Sequence, residues 1–142
     1  MSQFSKYASI IYRSSQAFFD DYLAPYHIGC GQQFFLVNIY EHPGISQYKL
    51  AKIGHFDKGT CARAVKKLEE EGYIEKKIQE ADRRCVRLYP SEKGKQLIPV
   101  IRKMLREWNQ VLKGDVSEEE EHIADALMRR ISEHAMAHMQ QK

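Results

Sequence analysis

Missing first of all is any long hydrophobic run. Nothing in the 142-residue chain approaches the roughly 20 consecutive apolar residues that span a bilayer. The N-terminus has no basic segment followed by an apolar one, so no signal peptide is expected and the cytoplasm is the expected compartment. Cysteine is scarce: Cys30, Cys61 and Cys85 are odd in number and lack C-x-x-C spacing. That argues against a disulfide framework and a structural zinc finger, and fits reducing surroundings. Enzyme signatures are absent too. There is no G-x-G-x-x-G after a strand pattern, no Walker loop and no H-E-x-x-H. The six histidines and the carboxylates form no acid–base or nucleophile set by spacing. Neither sign of charge dominates: 22 Lys and Arg against 19 Asp and Glu give a net +3. Such a balance permits nucleic-acid binding without demanding it, so the local distribution has to decide.

What is present is a helical pattern interrupted once. Phe4, Ala8, Ile11, Ser15, Phe18 and Tyr22 recur at helical spacing, which predicts an amphipathic helix over 4–24, stopped by Pro25 and Gly29. Residues 30–42 are apolar nearly all round, as in a helix buried mid-fold. Pro43-Gly44 stops it. Ser46 is a good N-cap for a short helix with Leu50, Ala51 and Ile53, ended by Gly54. Asp57 then caps a longer helix with Cys61, Ala64, Val65 and Leu68 facing inward, and Gly72 suits its left-handed end. Residues 73–77 and 85–89 read as strands, with 79–84 as a polar hairpin tip. Ser91 caps a helix whose apolar face runs Leu97, Ile101, Met104, Trp108, Val111, with a kink expected at Pro99. Ser117 with Glu120 forms a capping box for a last helix carrying Ile123, Leu127, Ile131, Ala135 and Met139.

The expected fold class is therefore mainly α (α+β), one domain over 1–142. A winged helix-turn-helix lobe covers 30–90, and helices in 1–29 and 91–142 carry more apolar surface than that lobe can cover. Apolar stripes of this kind usually find a partner, and a homodimer built from both ends of the chain is the economical one. In the lobe, a recognition helix needs hydrogen-bond donors in its first turns. Lys58, Thr60 and Arg63 supply them, and Arg63 can contact a guanine bidentately or bridge to phosphate. Gln47 at the start of the preceding helix and Lys67 further along join the candidate DNA contacts. Arg83 and Arg84 at the wing tip suit a narrow, electronegative minor groove, with Asp82 orienting one of them. The bland alternative is a solvated basic face, and Glu69-Glu70-Glu71 warns that charge alone is not decisive.

The span from Leu50-Ala51 through Phe56-Asp-Lys-Gly-Thr, Arg63, Leu68-Glu69, Glu71-Gly72-Tyr73-Ile74, Asp82-Arg-Arg-Cys-Val86 and Ser91-Glu-Lys-Gly94 resembles the MarR family of bacterial transcriptional regulators. The resemblance covers essentially the whole chain and is specific in combination rather than in any one piece. It implies a homodimer held by the terminal helices, a pseudo-palindromic double-stranded operator, usually repression, and a small-molecule or redox input felt between the dimer layer and the DNA lobes. Arg84 then matches the family's minor-groove arginine and Arg63 its recognition-helix arginine. Two positions depart from the pattern: Ala62 where Thr often precedes that arginine, and Pro90 where Leu usually precedes the helix start.

Three inputs follow. A small aromatic or phenolic effector could be held by the rings crowding the first helix, with Tyr12, Phe18, Phe19, Tyr22, Cys30, Phe34 and Asn38 as the expected pocket. A thiol switch would use Cys30, whose place at a helix N-terminus could lower its pKa, or Cys85 beside the wing. Cys61 reads as packing, and the first-helix cysteine of peroxide-sensing relatives is missing. A metal input would use Cys30, Glu41 and His42, which are similar to parts of the family's zinc-responsive branch, or His134 and His138 at i, i+4. No cofactor is expected and no metal is assigned. The runner-up class is a winged-helix protein-interaction module that does not bind DNA.

Overall fold

The computed structural model describes residues 1–141, the side chains of Asp82 and Arg83 apart. Six α-helices and one two-stranded antiparallel sheet are described: α1 (Phe4–Leu23), α2 (Cys30–Glu41), α3 (Gln47–Ile53), α4 (Lys58–Glu70), β1 (Ile74–Gln79), β2 (Asp82–Pro90), α5 (Glu92–Lys113) and α6 (Glu118–Gln140), with a 3-10 turn at Ala24–Tyr26. The chain falls into two compact units, Met1–Leu105 and Arg106–Lys142.

The caps lie where the side-chain chemistry puts them. Ser46 Oγ accepts the Lys49 N–H (3.2 Å), and Asp57 Oδ1 accepts the Thr60 N–H (2.7 Å). Ser117 and Glu120 exchange both bonds of a capping box. Each satisfies a donor that a helix start leaves orphaned. In the first unit the core is built from Phe35, Leu36 and Ile39 of α2, Leu50 of α3, Cys61, Val65 and Leu68 of α4, Leu88 of β2, and Leu97, Ile98, Ile101 and Met104 of α5. The low polarity of α2 all round is thus explained by its central place. The apolar face of α5 is buried as far as Met104, whereas Val111 is 61% exposed. The helix runs on through Pro99 without interruption.

The wing is longer than the spacing predicts. β1 extends to Gln79 and β2 begins at Asp82, so only Glu80 and Ala81 turn, instead of the expected tip over 79–84. Pairing runs from Ile74↔Pro90 to Ile78↔Val86 and then jumps to Gln79↔Asp82. That irregularity places extra β2 residues in the ladder; polar residues near a hairpin end can stay paired while a bulge absorbs the mismatch. A third short segment joins the sheet at its root. The Gly44 N–H donates to Leu88 O (2.8 Å) and the Leu88 N–H to Ile45 O (3.0 Å).

Where α4, β1, β2 and α5 meet, consecutive carbonyls are all engaged. Lys93 Nζ donates to Glu71 O (2.7 Å), Ser91 Oγ to Gly72 O (2.6 Å) and the Ser91 N–H to Tyr73 O (3.0 Å). Ser91 Oγ in turn accepts the Gly94 N–H (3.0 Å). Gly72 has φ +78°, the left-handed conformation that reverses the chain at low cost only for glycine. A Cβ at Gly94 would run into Tyr73 O. Ser91→Ala is expected to cost about 1–2 kcal/mol as a lost cap and carbonyl partner. Gly94→Ala is expected to cost about 1–3 kcal/mol or more through overpacking against backbone. Urea melts of the two variants should give midpoints in the order wild type, Ser91→Ala, Gly94→Ala; the reverse order for the variants would contradict this joint.

Candidate nucleic-acid interface

α4 presents two faces of different kinds. Cys61, Ala64, Val65 and Leu68 are buried, which fixes the helix about its own axis and leaves Lys58, Ala62 and Arg63 to solvent. The first turn is internally wired. Asp57 Oδ2 accepts the Thr60 hydroxyl (3.0 Å), and Thr60 Oγ1 accepts from Arg63 Nη2 (3.3 Å). The Asp57 carboxyl is held below the usual aspartate range, first by the Thr60 backbone N–H, then by the Thr60 hydroxyl, with the Arg63 charge adding to this. Gly59 makes room: a Cβ there would lie 3.2 Å from Arg63 Nη1 and 3.4 Å from Asp57 Oδ1. The guanidinium therefore rests along the helix start, oriented and solvent-accessible.

The other expected contacts are placed unevenly. Lys67 is half-buried and donates to Glu71 (3.3 Å), a full turn beyond Arg63. Gln47 is half-buried in the first turn of α3, and its carbonyl accepts the Cys61 thiol (3.6 Å), which ties the two helices together. Arg84 is exposed on β2; the side chains of Asp82 and Arg83 lie outside the described residues. The acidic run is neutralised locally: Glu69 pairs with Lys76 (3.5 Å), Glu70 with Lys66 (3.9 Å) and Glu71 with Lys67 (3.3 Å). Tyr48 and Lys52, which the hydrophobic pattern does not single out, also face solvent from α3. Their i, i+4 spacing was the available signal.

Among the residues expected to receive an input, Phe18 meets Phe19 and Tyr22, with ring centres 6.2 and 5.8 Å apart. Phe34 meets Phe35 and Phe56 at 5.4 and 5.2 Å. Asn38 turns its amide back onto Phe34 O (2.9 Å), and Tyr12 is exposed and accepts from Gln16 (2.8 Å). Tyr22 lines an open cavity of about 310 Å³ with Pro25, Tyr26, Val100 and Lys103; none of the other six expected residues lines it. The expectation for Cys30 is overturned. Burial pushes its thiol up, and the Asp20 carboxylate beside it acts in the same direction. Asp20 Oδ1 accepts the Cys30 N–H (2.7 Å), so an anion already occupies the helix start that would have stabilised a thiolate. Burial likewise raises the Cys61 thiol. Glu41 pairs with Arg102 (3.5 Å), and His42 Nδ1 lies 3.2 Å from Asn38 O.

A short helix, a turn, a longer helix with donors on its exposed first turns, and an antiparallel hairpin beside it define a winged helix-turn-helix, the DNA-binding element of a transcription regulator. Residues 31–86 match the MarR family. The HTH-type transcriptional regulator YybA of Bacillus subtilis (strain 168) is 45% identical over 102 residues, 71% of this chain and 67% of that one. The solved transcriptional regulator SlyA is similar over 99% of this chain and 100% of its own, with a TM-score of 0.89 at 30% identity. A MarR family regulator from Listeria monocytogenes, solved in complex with a 26mer DNA, gives a TM-score of 0.86 at 30% identity over 94% of this chain and 89% of its own. The chain belongs to the MarR family of transcriptional regulators. No described helix is long and apolar enough to cross a membrane.

Asp57→Ala should lower the melting temperature at pH 7. Because the folded carboxyl titrates below its unfolded value of about 3.9, its contribution is present above that value and lost as pH falls through the folded pKa. Melts at pH 7 and pH 3 should therefore show the wild-type advantage shrinking in acid; an advantage that is equal at both would contradict the cap.

Proposed function

We propose that the protein is a repressor that binds a pseudo-palindromic double-stranded operator as a homodimer and is released by a small molecule. Residues 30–90 form the DNA-binding lobe in this reading, and segments 1–29 and 91–142 hold the dimer. The observation that carries it is the outward side of the first half of α4, with Lys58 and Arg63 exposed, Thr60 and Arg63 wired to the Asp57 cap, and a wing bearing Arg84 in the same compact unit. The helix enters the major groove, Arg63 reads a base edge, and the wing carrying Arg84 approaches the minor groove. The MarR regulator from Listeria monocytogenes solved with DNA supports the same use of this fold. For the dimer, the support is α6: none of its described residues is buried, and Ile123, Leu127 and Ile131 stand exposed at intervals of four.

Selection of bound duplexes from a random pool should return an inverted repeat. On that duplex Arg63→Ala should weaken binding by about tenfold to a hundredfold and relax preference at one base pair per half-site. Arg84→Ala should lower affinity and reduce the salt slope by about one. Sedimentation should show both variants as dimers. Wild-type affinity in both variants would remove the docking scheme, and salt-insensitive or absent DNA binding would favour a protein-interaction module.

The input is assigned to a small aromatic or phenolic molecule, because Tyr22, Pro25, Tyr26 and Val100 give the cavity beside α1 a largely apolar lining. Phenolic ligands should raise the melting temperature of wild type and release the duplex, and Tyr22→Ala should lose both effects. A ligand response unchanged in that variant would place the input elsewhere.

A further inference from the structure

Tyr48 lies on α3 and contributes nothing to the core: it is 59% exposed. Lys52, one turn later on α3, sets its ammonium 4.6 Å from the centre of the Tyr48 ring. Contact with that ammonium, and then its charge, holds the Tyr48 phenol below the usual tyrosine range. The charge of Lys58, the first residue of α4, acts in the same direction. Lys52 and Lys58 are both exposed.

The chemistry of this group is specific. The Tyr48 hydroxyl is a donor on an exposed side chain, with the Lys52 ammonium beside its ring. An ammonium beside a phenol hydroxyl donor complements a singly charged phosphodiester oxygen, where charge-assisted bonds are short and strong. In a helix-turn-helix the first helix crosses the DNA backbone while the second enters the groove. Tyr48 and Lys52 lie on that first helix, and Lys58 on the first turn of the second.

We propose that Tyr48 and Lys52 form a phosphate clamp, in which the Tyr48 hydroxyl and the Lys52 ammonium grip one backbone phosphate flanking the base pair read by Arg63. Tyr48 is a positioning residue in this scheme. It sets where α4 enters the groove and carries no sequence information itself. The proposal rests on the DNA-binding reading above and assigns a contact outside the recognition helix and wing.

The test measures affinity at several salt concentrations for the selected duplex and for a scrambled duplex of equal length. Tyr48→Phe keeps the ring under Lys52 and removes only the hydroxyl. It should weaken both duplexes by a similar factor, about three- to tenfold, with the salt slope nearly unchanged. Lys52→Gln should weaken both duplexes and lower the slope by about 0.9, the value of one phosphate contact. Both positions are exposed, so circular dichroism should show wild-type helix content in each variant. Wild-type binding by Tyr48→Phe and Lys52→Gln, while Arg63→Ala weakens, would overturn the clamp and leave the docking scheme standing. A Tyr48→Phe effect confined to the selected duplex would also overturn it, since the hydroxyl would then be reading sequence. Wild-type binding by Arg63→Ala as well would mean that the docking scheme itself had failed.

Discussion

The hydrogen-bonded joint at Ser91 is what the DNA-binding lobe hangs from. A helix that ends in a left-handed glycine leaves carbonyls pointing out of its last turn, and these need donors. Glu71, Gly72 and Tyr73 present three in a row, and Lys93 Nζ, Ser91 Oγ and the Ser91 N–H take one each. Lys93 also lies 4.5 Å from the Tyr73 ring centre, and the Tyr73 hydroxyl donates to Tyr26 O (2.7 Å). The end of α4, both roots of the wing, the start of α5 and the loop after α1 are thereby fixed to one another. Gly94 is required because Tyr73 O occupies the space a side chain would need. The Ser-x-x-Gly spacing noted in the sequence is thus a packing requirement as much as a cap.

With its far end fixed there and its inward stripe buried, α4 has little freedom to roll. Its outward chemistry then divides along its length. The second half carries Glu69, Glu70 and Glu71, each matched to a lysine. Exposed pairs of this kind contribute little stability, about 0–1 kcal/mol each. Their consequence is electrostatic: the acidic run is quenched where it stands, and the field at the first half is set by Lys58 and Arg63 together with the Asp57 cap. The wiring from Asp57 through Thr60 to Arg63 also restricts the guanidinium before any partner arrives, which reduces the side-chain entropy lost on binding.

Element order was legible in the sequence because it is written in local chemistry. Ser46, Asp57 and Ser117 each act within three residues of themselves, and the alternation of buried and exposed residues along α4 follows from one helical period. What was illegible depends on groups far apart in sequence. Asp20 takes up the start of α2 ten residues later and reverses the direction expected for the Cys30 thiol. Phe34 turns toward Phe56, a contact that its position in α2 could not announce. The aromatic density of α1 indicated a binding region, but spacing alone could not say that only Tyr22 of the expected set would border the cavity with Tyr26 and Val100. The apolar face of α5 was readable as far as its cover extends; Val111 continues the period but is left exposed.

The remaining apolar surface bears on how the output could be controlled. In the second unit α6 keeps Ile123 (60%) and Leu127 (46%) exposed, and in the first unit α1 keeps Phe4 and Tyr7 exposed. In the proposed dimer, a helical stripe exposed at intervals of four would be covered by a second copy. In such a dimer the first turns of α4 are rigid within each lobe, so half-site recognition is set locally. The separation of two recognition helices is set by what joins the copies, and operator half-sites must match that separation. A molecule bound beside Tyr22, at the end of α1, touches neither Arg63 nor the wing. Its differential affinity for two arrangements of the lobes would therefore govern DNA release, with the contacts to each half-site left intact.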